Sequence, residues 1–267
     1  MSKVDQIKIL FLGDVVGRCG RSALKAKLPE IKEQVGASVT IVNGENSAGG
    51  IGINPNTGDE IFRAGADIIT TGNHIWARKE IIPYLDKNRG RIIRPHNFAA
   101  GAPGEGYTIF TLPSGKRLAV INLMGRVFMP DLVDCPFQTF DLLVEELKGK
   151  AELVFVDFHA EATSEKVAFA YHADGRACAV VGTHTHVQTA DERVFEGGLA
   201  YISDVGMCGP FESVIGVQHQ LVVEKFRTGR PVRFEVAEGA AVICGVVITC
   251  DSQSGRATEI LRLQMRL

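Results

Sequence analysis

The chain has no long apolar run, no clustered cysteines and no surplus of either charge. No stretch approaches the roughly 20 consecutive apolar residues that cross a bilayer as a helix, which excludes a membrane-spanning segment of that kind. The polar opening from Met1 to Gln6 leads into an apolar run that stops before Asp14, too brief for the h-region of a secretory signal. Six cysteines (Cys19, Cys135, Cys178, Cys208, Cys244 and Cys250) are scattered without a C-x-x-C pair. They read as free thiols of a reducing compartment, and the expected location is the cytoplasm. With 29 Lys and Arg against 31 Asp and Glu, a net charge of -2, there is no broad basic footprint for duplex nucleic acid. A small phosphate ester or a strand end stays compatible, because a local site can be cationic without changing the total. No Gly-x-Ser-x-Gly segment occurs and no cysteine has an evident neighbouring base, which disfavours acyl transfer and thiol catalysis.

What is present is a recurring unit: a short apolar run, a break rich in Gly, Asn and Asp, then a helical segment. Ile7 to Leu12 reads as a first buried strand, followed by a helix from about Ser22 to Gln34. Val39 to Val42, a helix around Thr57 to Ala64, Ile68 to Thr70 and a short strand at Ile92 and Ile93 continue the series. Beyond Gly101, Tyr107 to Leu112 and Leu118 to Leu123 flank the turn Pro113-Ser114-Gly115-Lys116 as a hairpin. A helix from about Pro136 to Leu147, a strand Leu153 to Phe158, a helix near Ser164 to Tyr171 and a strand Ala179 to Gly182 follow. The last part reads mostly as strand: Leu199 to Ile202, Val232 to Val236, Val242 to Cys250 and a final run near Ile260. Continuous apolar strands are buried on both faces, so helices cover at least one sheet. The pattern predicts one domain over 1–267, an α/β sandwich with a second sheet packed on the first.

Five strand ends carry chemistry. Asp14 follows Phe11-Leu12-Gly13, Glu45-Asn46 follows Ile41 to Gly44, and Asn73-His74 follows Ile68 to Gly72. His159 follows Val154 to Phe158, and His184-Thr185-His186 follows Ala179 to Thr183. Parallel strands end at one edge, so these residues are expected to converge in one crevice. Taken singly, each has a plain structural explanation: Asp14 as a turn former or cap, Glu45-Asn46 as a solvated loop, Asn73 and His74 as caps, His159 as a satisfied core histidine. His184 and His186 are sharper, since alternate residues of an extended strand end point to one side. A donor set of carboxylates, amide carbonyls and imidazoles without thiolate suits Mn, Fe or Zn better than Mg or Ca. Seven or so donors are too many for one tetrahedral ion and suit two ions sharing a carboxylate, the clamp of an in-line phosphoryl displacement.

The order Gly-Asp, Gly-Glu-Asn, Gly-Asn-His, an isolated His and Gly-x-His-x-His resembles the calcineurin-like metallophosphoesterase superfamily. The Gly-Glu-Asn-Ser segment and Ser203-Asp204-Val205-Gly206-Met207 narrow the likeness to the bacterial YmdB-type branch. Two departures from the wider superfamily, Asp14-Val15-Val16 in place of Asp-x-His and Glu45 in place of the bridging Asp, match that branch. The resemblance implies an α/β/β/α sandwich of two mixed sheets flanked by helices. It also implies two metal ions per chain, iron with manganese as the alternative. By resemblance, one metal is held by Asp14, Glu45, Asn46 and His186, the other by Glu45, Asn73, His159 and His184, with Glu45 bridging.

The activity this implies is hydrolysis of 2',3'-cyclic nucleotides, extending to 3',5'-cyclic ones. The expected attack is by a hydroxide shared between the metals, with His74 at the rim as general acid toward the leaving ribose oxygen. Arg126 is a candidate phosphate partner, with an ordinary surface arginine as the plainer alternative. Gly49, Gly50 and Gly52 read as turn makers, and Trp76, the single tryptophan, as core. His96, His172 and His219 lack strand-end partners. Two other readings stand beside the first: a nucleotidase or RNA-end phosphatase using the same site, and a regulatory nucleotide-binding protein with little turnover. The expected partner is a small cyclic nucleotide, with RNA engaged only indirectly, a homo-oligomer left open and no membrane.

Overall fold

The first strand, β1 (Gln6–Leu12), shows how this chain builds two cores at once. Successive side chains of a strand point to opposite faces. Ile7, Ile9 and Phe11 enter the layer between two sheets, while Leu10 and Leu12 enter the layer under helices. The computed structural model describes residues 6–267; the stretch 1–5, on which the reading against a signal sequence partly rests, lies outside the described residues. No helix among those described is long and apolar enough to cross a membrane.

In chain order the elements are β1, β2 (Asp14–Val15), α1 (Gly17–Val35), β3 (Val39–Asn43), α2 (Pro55–Ala64), β4 (Ile68–Thr70), a 3-10 turn at Ile75–Ala77 and α3 (Ile81–Lys87). Next come β5 (Tyr107–Thr111), β6 (Arg117–Met124), α4 (Pro136–Leu147), β7 (Leu153–His159), α5 (Thr163–Ala173) and β8 (Ala179–Thr183). The remainder is β9 (Arg193–Val194), β10 (Ala200–Ile202), β11 (Met207–Pro210), α6 (His219–Thr228), β12 (Ala241–Asp251) and β13 (Ala257–Arg266). The described strands form a seven-stranded sheet, β2-β11-β12-β1-β3-β4 with β13 on β12, and a six-stranded sheet, β5-β6-β7-β8-β10-β9. Both are mixed: β1, β3 and β4 run parallel, as do β6, β7, β8 and β10, while β12 is antiparallel to β1 and β5 to β6.

The inward faces meet in a shared core, where Phe11 and Phe155 pack as tilted rings across the sheets with centroids 5.4 Å apart. On the outside of the first sheet, Leu24, Leu28 and Ile31 of α1, Ile61 of α2 and Ile81 and Leu85 of α3 close a second core. On the outside of the other, Phe140 and Leu143 of α4 and Phe169 and Ala173 of α5 close a third. The layering is α/β/β/α.

Three expectations change. Helix α1 begins five residues before Ser22, because Gly20 brings it against the β11 backbone: a Cβ there would lie 2.1 Å from Cys208 O. Close packing outweighs the low helix propensity of the glycines. The carboxyl-terminal part includes the helix α6, and Val232 to Val236 forms no strand, only a bridge from Val236 to Val217. Ile92 and Ile93 likewise make single bridges, to Ile69 and Glu105.

Candidate metal centre

The parallel strands of both sheets end at one edge, and the polar residues past them gather there. Asp14 opens β2, held beside β11 through the Met207 register. Glu45 and Asn46 lie two and three residues beyond β3; Asn73 and His74 lie past β4. His159 closes β7, and His184 and His186 follow β8. The last two differ from a strand-alternation picture: β8 stops at Thr183, and both histidines hold left-handed backbone, φ 99° and 66°. A bend, not the pleat of a strand, aims them inward.

Two groups form around Glu45. His159 Nε2 stands 3.0 Å from Asn73 Oδ1, 3.1 Å from His184 Nδ1 and 2.8 Å from Glu45 Oε2. His186 Nε2 stands 3.1 Å from the Asn46 amide and 3.7 Å from Asp14 Oδ1. Donor atoms of Asp14, Glu45 and His159 all lie within 4.8 Å of one another, and all three side chains are buried. The His74 amide donates to Glu45 Oε1.

His159 and His186 are turned by hydrogen-bond partners on their outer nitrogens, and His184 has a carboxylate near its own. His159 Nδ1 meets Thr183 Oγ1 at 2.9 Å, and that hydroxyl donates onward to Asp157 Oδ1 at 2.7 Å. The hydroxyl proton is thereby used, so Nδ1 carries the ring proton and Nε2 presents a lone pair. His184 Nε2 lies 3.2 Å from Glu161 Oε2, and His186 Nδ1 donates to Ile215 O at 2.9 Å. The lone pairs of His159 Nε2 and His186 Nε2 therefore face inward, the arrangement outer partners impose on metal-binding histidines. Burial pushes His159 down to about 4 and His184 down to about 3, so both rings are neutral at pH 7. Burial acts oppositely on the acids: it raises Asp14 and Glu45, with nearby histidines pulling the other way.

The fit to a cation follows from what is unpaired. Asp14 Oδ1 and Glu45 Oε2 are buried without a hydrogen-bond donor; Glu45 Oε2 approaches His159 Nε2, but not in the direction of a hydrogen bond. Acceptors crowded against acceptors, in burial, cost several kcal/mol unless a positive charge lies among them. Gly72 keeps the space open: a Cβ there would stand 2.3 Å from His159 Nε2 and 2.5 Å from Glu45 Oε2.

Sequence reasoning missed the supports. Asp157, buried and raised to about 7 by that burial, accepts from Asn43, Thr70 and Thr183 and so joins both sheets beneath the centre. Lys166 of α5 donates to Thr183 O at 2.9 Å and Asp204 Oδ2 at 3.0 Å, and Asp204 accepts the Thr185 amide at 3.0 Å. That pair fixes the bend carrying the two left-handed histidines. Ser203 to Met207 was noticed in the sequence, but a partner 38 residues away on a helix leaves no local signal. Arg126 is exposed and makes no side-chain ion pair or hydrogen bond among the described residues. Gly49, Gly50 and Gly52 turn with positive φ, and Trp76 packs edge-on to Phe98. His172 pairs with Asp141 at 2.9 Å, and His219 is exposed on α6.

Facing mixed sheets between helices, with carboxylate, amide and imidazole donors pooled at the common strand edge, define a metallophosphoesterase. A sequence profile described as "YmdB-like protein" matches residues 10–263, and the chain belongs to that family. It is 48% identical over 257 residues to the 2',3'-cyclic-nucleotide 2'-phosphodiesterase of Bacillus subtilis (strain 168), an alignment covering 96% of each chain. A solved protein of Thermus thermophilus superposes with TM-score 0.91 at 38% identity, covering 97% of this chain and 99% of that one. A Mycoplasma pneumoniae structure described as a novel phosphatase gives TM-score 0.92 at 36% identity, covering 98% and 94%. As a member of this family the chain is an enzyme, a hydrolase of phosphoric diesters, and the family implies divalent metal ions.

Proposed function

We propose that the chain hydrolyses 2',3'-cyclic nucleotides, and by the same geometry 3',5'-cyclic ones, at a dinuclear centre. The observation that carries this is the inward convergence of three imidazoles, two of them anchored by hydrogen bonds, on two buried carboxylate oxygens without donors. Asp14, Glu45, Asn46 and His186 would hold one ion and Asn73, His159 and His184, with Glu45 shared, the other; iron is the expected metal and manganese the alternative. Bound there, such ions supply Lewis-acid neutralisation of phosphoryl oxygens and a water of lowered pKa.

His74 is the acid in this reading. Its amide is fixed on Glu45 Oε1, while its ring makes no hydrogen bond among the described residues and is left to protonate the leaving ribose oxygen. It starts the 3-10 turn without capping it through its side chain. Arg126, unpaired and exposed, is the candidate partner of the phosphate. The substrate is a small molecule, with RNA as its indirect source through cyclic-phosphate ends, and six unpaired cysteines support a cytoplasmic setting.

Protein purified without chelator is expected to carry about two metals per chain and to turn over 2',3'-cyclic nucleotides. His74→Ala should keep both metals and lose about 10²–10⁴-fold in turnover; full activity in that variant removes His74 from the mechanism. The phosphatase description of the Mycoplasma relative favours a second reading, a nucleotide monoesterase. Assaying 2'- and 3'-nucleotide monoesters beside the cyclic diesters decides between them.

A further inference from the structure

Among the described residues, four that are not glycine hold a left-handed backbone: His184 at φ 99°, His186 at 66°, Ile215 at 48° and Phe128 at 62°. Such backbone is strained for residues with a β-carbon and gathers at functional sites. Three of the four are accounted for, as two metal-facing histidines and the residue whose carbonyl turns His186. Phe128 is the fourth, and nothing so far employs it.

Its loop, 125–135, leaves β6 directly beside the centre. Met124 pairs with His159 in register, and the Gly125 amide donates to His159 O at 3.0 Å. The Asn97 side chain ties both feet, bonding Met124 N at 2.9 Å, Met124 O at 2.7 Å and Asp134 O at 3.0 Å. The buried Glu165 carboxylate accepts the Arg126 amide at 3.0 Å and the Val127 amide at 3.1 Å. Asp131 leans back toward the centre: its Oδ2 is buried without a donor, and the charged groups acting on its carboxyl are His74 and Glu45. So firmly anchored a loop nevertheless leaves the Phe128 ring 85% exposed, with Val127 and Leu132 also in solvent.

We propose that Phe128 is the platform on which the nucleobase of the substrate stacks while its phosphate lies at the metal centre. The inference rests on the cyclic-nucleotide reading, which places a flat π-system on the same molecule as the phosphate. Stacking accepts any base face and so gives affinity with little base preference. The competing occupant is a second copy of this chain covering the ring.

The test compares metal-loaded wild type with Phe128→Ala, Phe128→Leu and Phe128→Trp on 2',3'-cyclic AMP, 2',3'-cyclic CMP and the base-free glycerol 1,2-cyclic phosphate. Loss of the ring should raise KM for cyclic AMP about tenfold, and for cyclic CMP by less, the order expected for one base–aromatic stack. The kcat should change little, Trp should restore KM, Leu should not, and the base-free ester should be hydrolysed equally by all. Unchanged KM for both nucleotides, or the same rise on the base-free ester, overturns the proposal. So does a variant whose oligomeric state shifts while KM stays put, which makes the ring a subunit contact. If wild type hydrolyses none of these esters, the phosphodiesterase reading falls separately. Calorimetric titration with adenosine 2'-monophosphate then still decides the platform: equal affinity in wild type and Phe128→Ala rejects it.

Discussion

At Gly72 a single methyl group would occupy the space between His159 Nε2 and Glu45 Oε2, so the residue acts by having no side chain. Gly72→Ala should leave the helices and sheets intact, reduce bound metal well below wild type and lower turnover about 10–100-fold. Gly101→Ala, where a Cβ meets nothing within 4 Å, is the matched control. Metal analysis with circular dichroism checks it; wild-type metal content in Gly72→Ala would show that the cradle is roomier than the distances say. At this scale the sequence was informative where a polar residue came just after the end of an apolar run, as with Asp14, Glu45 and His159. It was silent about Asp157, which sits inside the run Val154 to Phe158 and looks like any strand residue. It was silent too about Glu161 and Ile215, whose roles depend on chain segments brought from elsewhere.

Among the elements, the parallel pair β6 and β7 begins with an ion pair whose charges are partly in solvent. Glu152 accepts from the Arg117 amide and guanidinium at 2.6 Å each, and these hydrogen bonds push its carboxyl down to about 2. A carboxylate lowered on folding stabilises the fold above its unfolded pKa near 4.5 and loses that contribution as pH falls toward 2. Solvent screening keeps the effect under about 1 kcal/mol. Glu152→Gln should therefore lower the urea midpoint slightly at pH 6.5, and the gap to wild type should narrow between pH 5 and pH 3. A gap that widens on acidification would contradict the sign. Elements with plain periodicity, such as the helix Pro136–Leu147 and the strand Ile68–Thr70, were legible to the residue. Helix α6 was not, because it buries only Val222 and its β-branched residues suggest a strand.

Across the whole molecule the donors come from both sheets: Asp14, Glu45 and Asn73 from one, His159 and His184 from the other. Ions held at this edge would clip the sheets together, so loading should stabilise the fold and not only the reaction. Metal at about 100 times its Kd adds about 2.7 kcal/mol, which for a chain of this size raises Tm by roughly 5–10 °C. Chelation should lower the wild-type Tm by that amount and leave His159→Ala almost unmoved, as read by differential scanning calorimetry; equal responses would argue against the clip. The two-sheet layering was legible because strands of both sheets, such as β3, β6 and β8, are buried along almost their whole length. Strand order was not, because nothing near Ala241–Asp251 reports that this strand pairs with the first one. That pairing has a consequence for how the protein is born. Every donor of the centre is synthesised by residue 186, yet Gln6–Leu12 waits for its antiparallel neighbour until residue 251 emerges, a delay typical of long-range pairing. A growing chain can therefore hold the complete donor set while the strand that flanks Gln6–Leu12 is still missing, and the enzyme matures only after residue 251 has emerged.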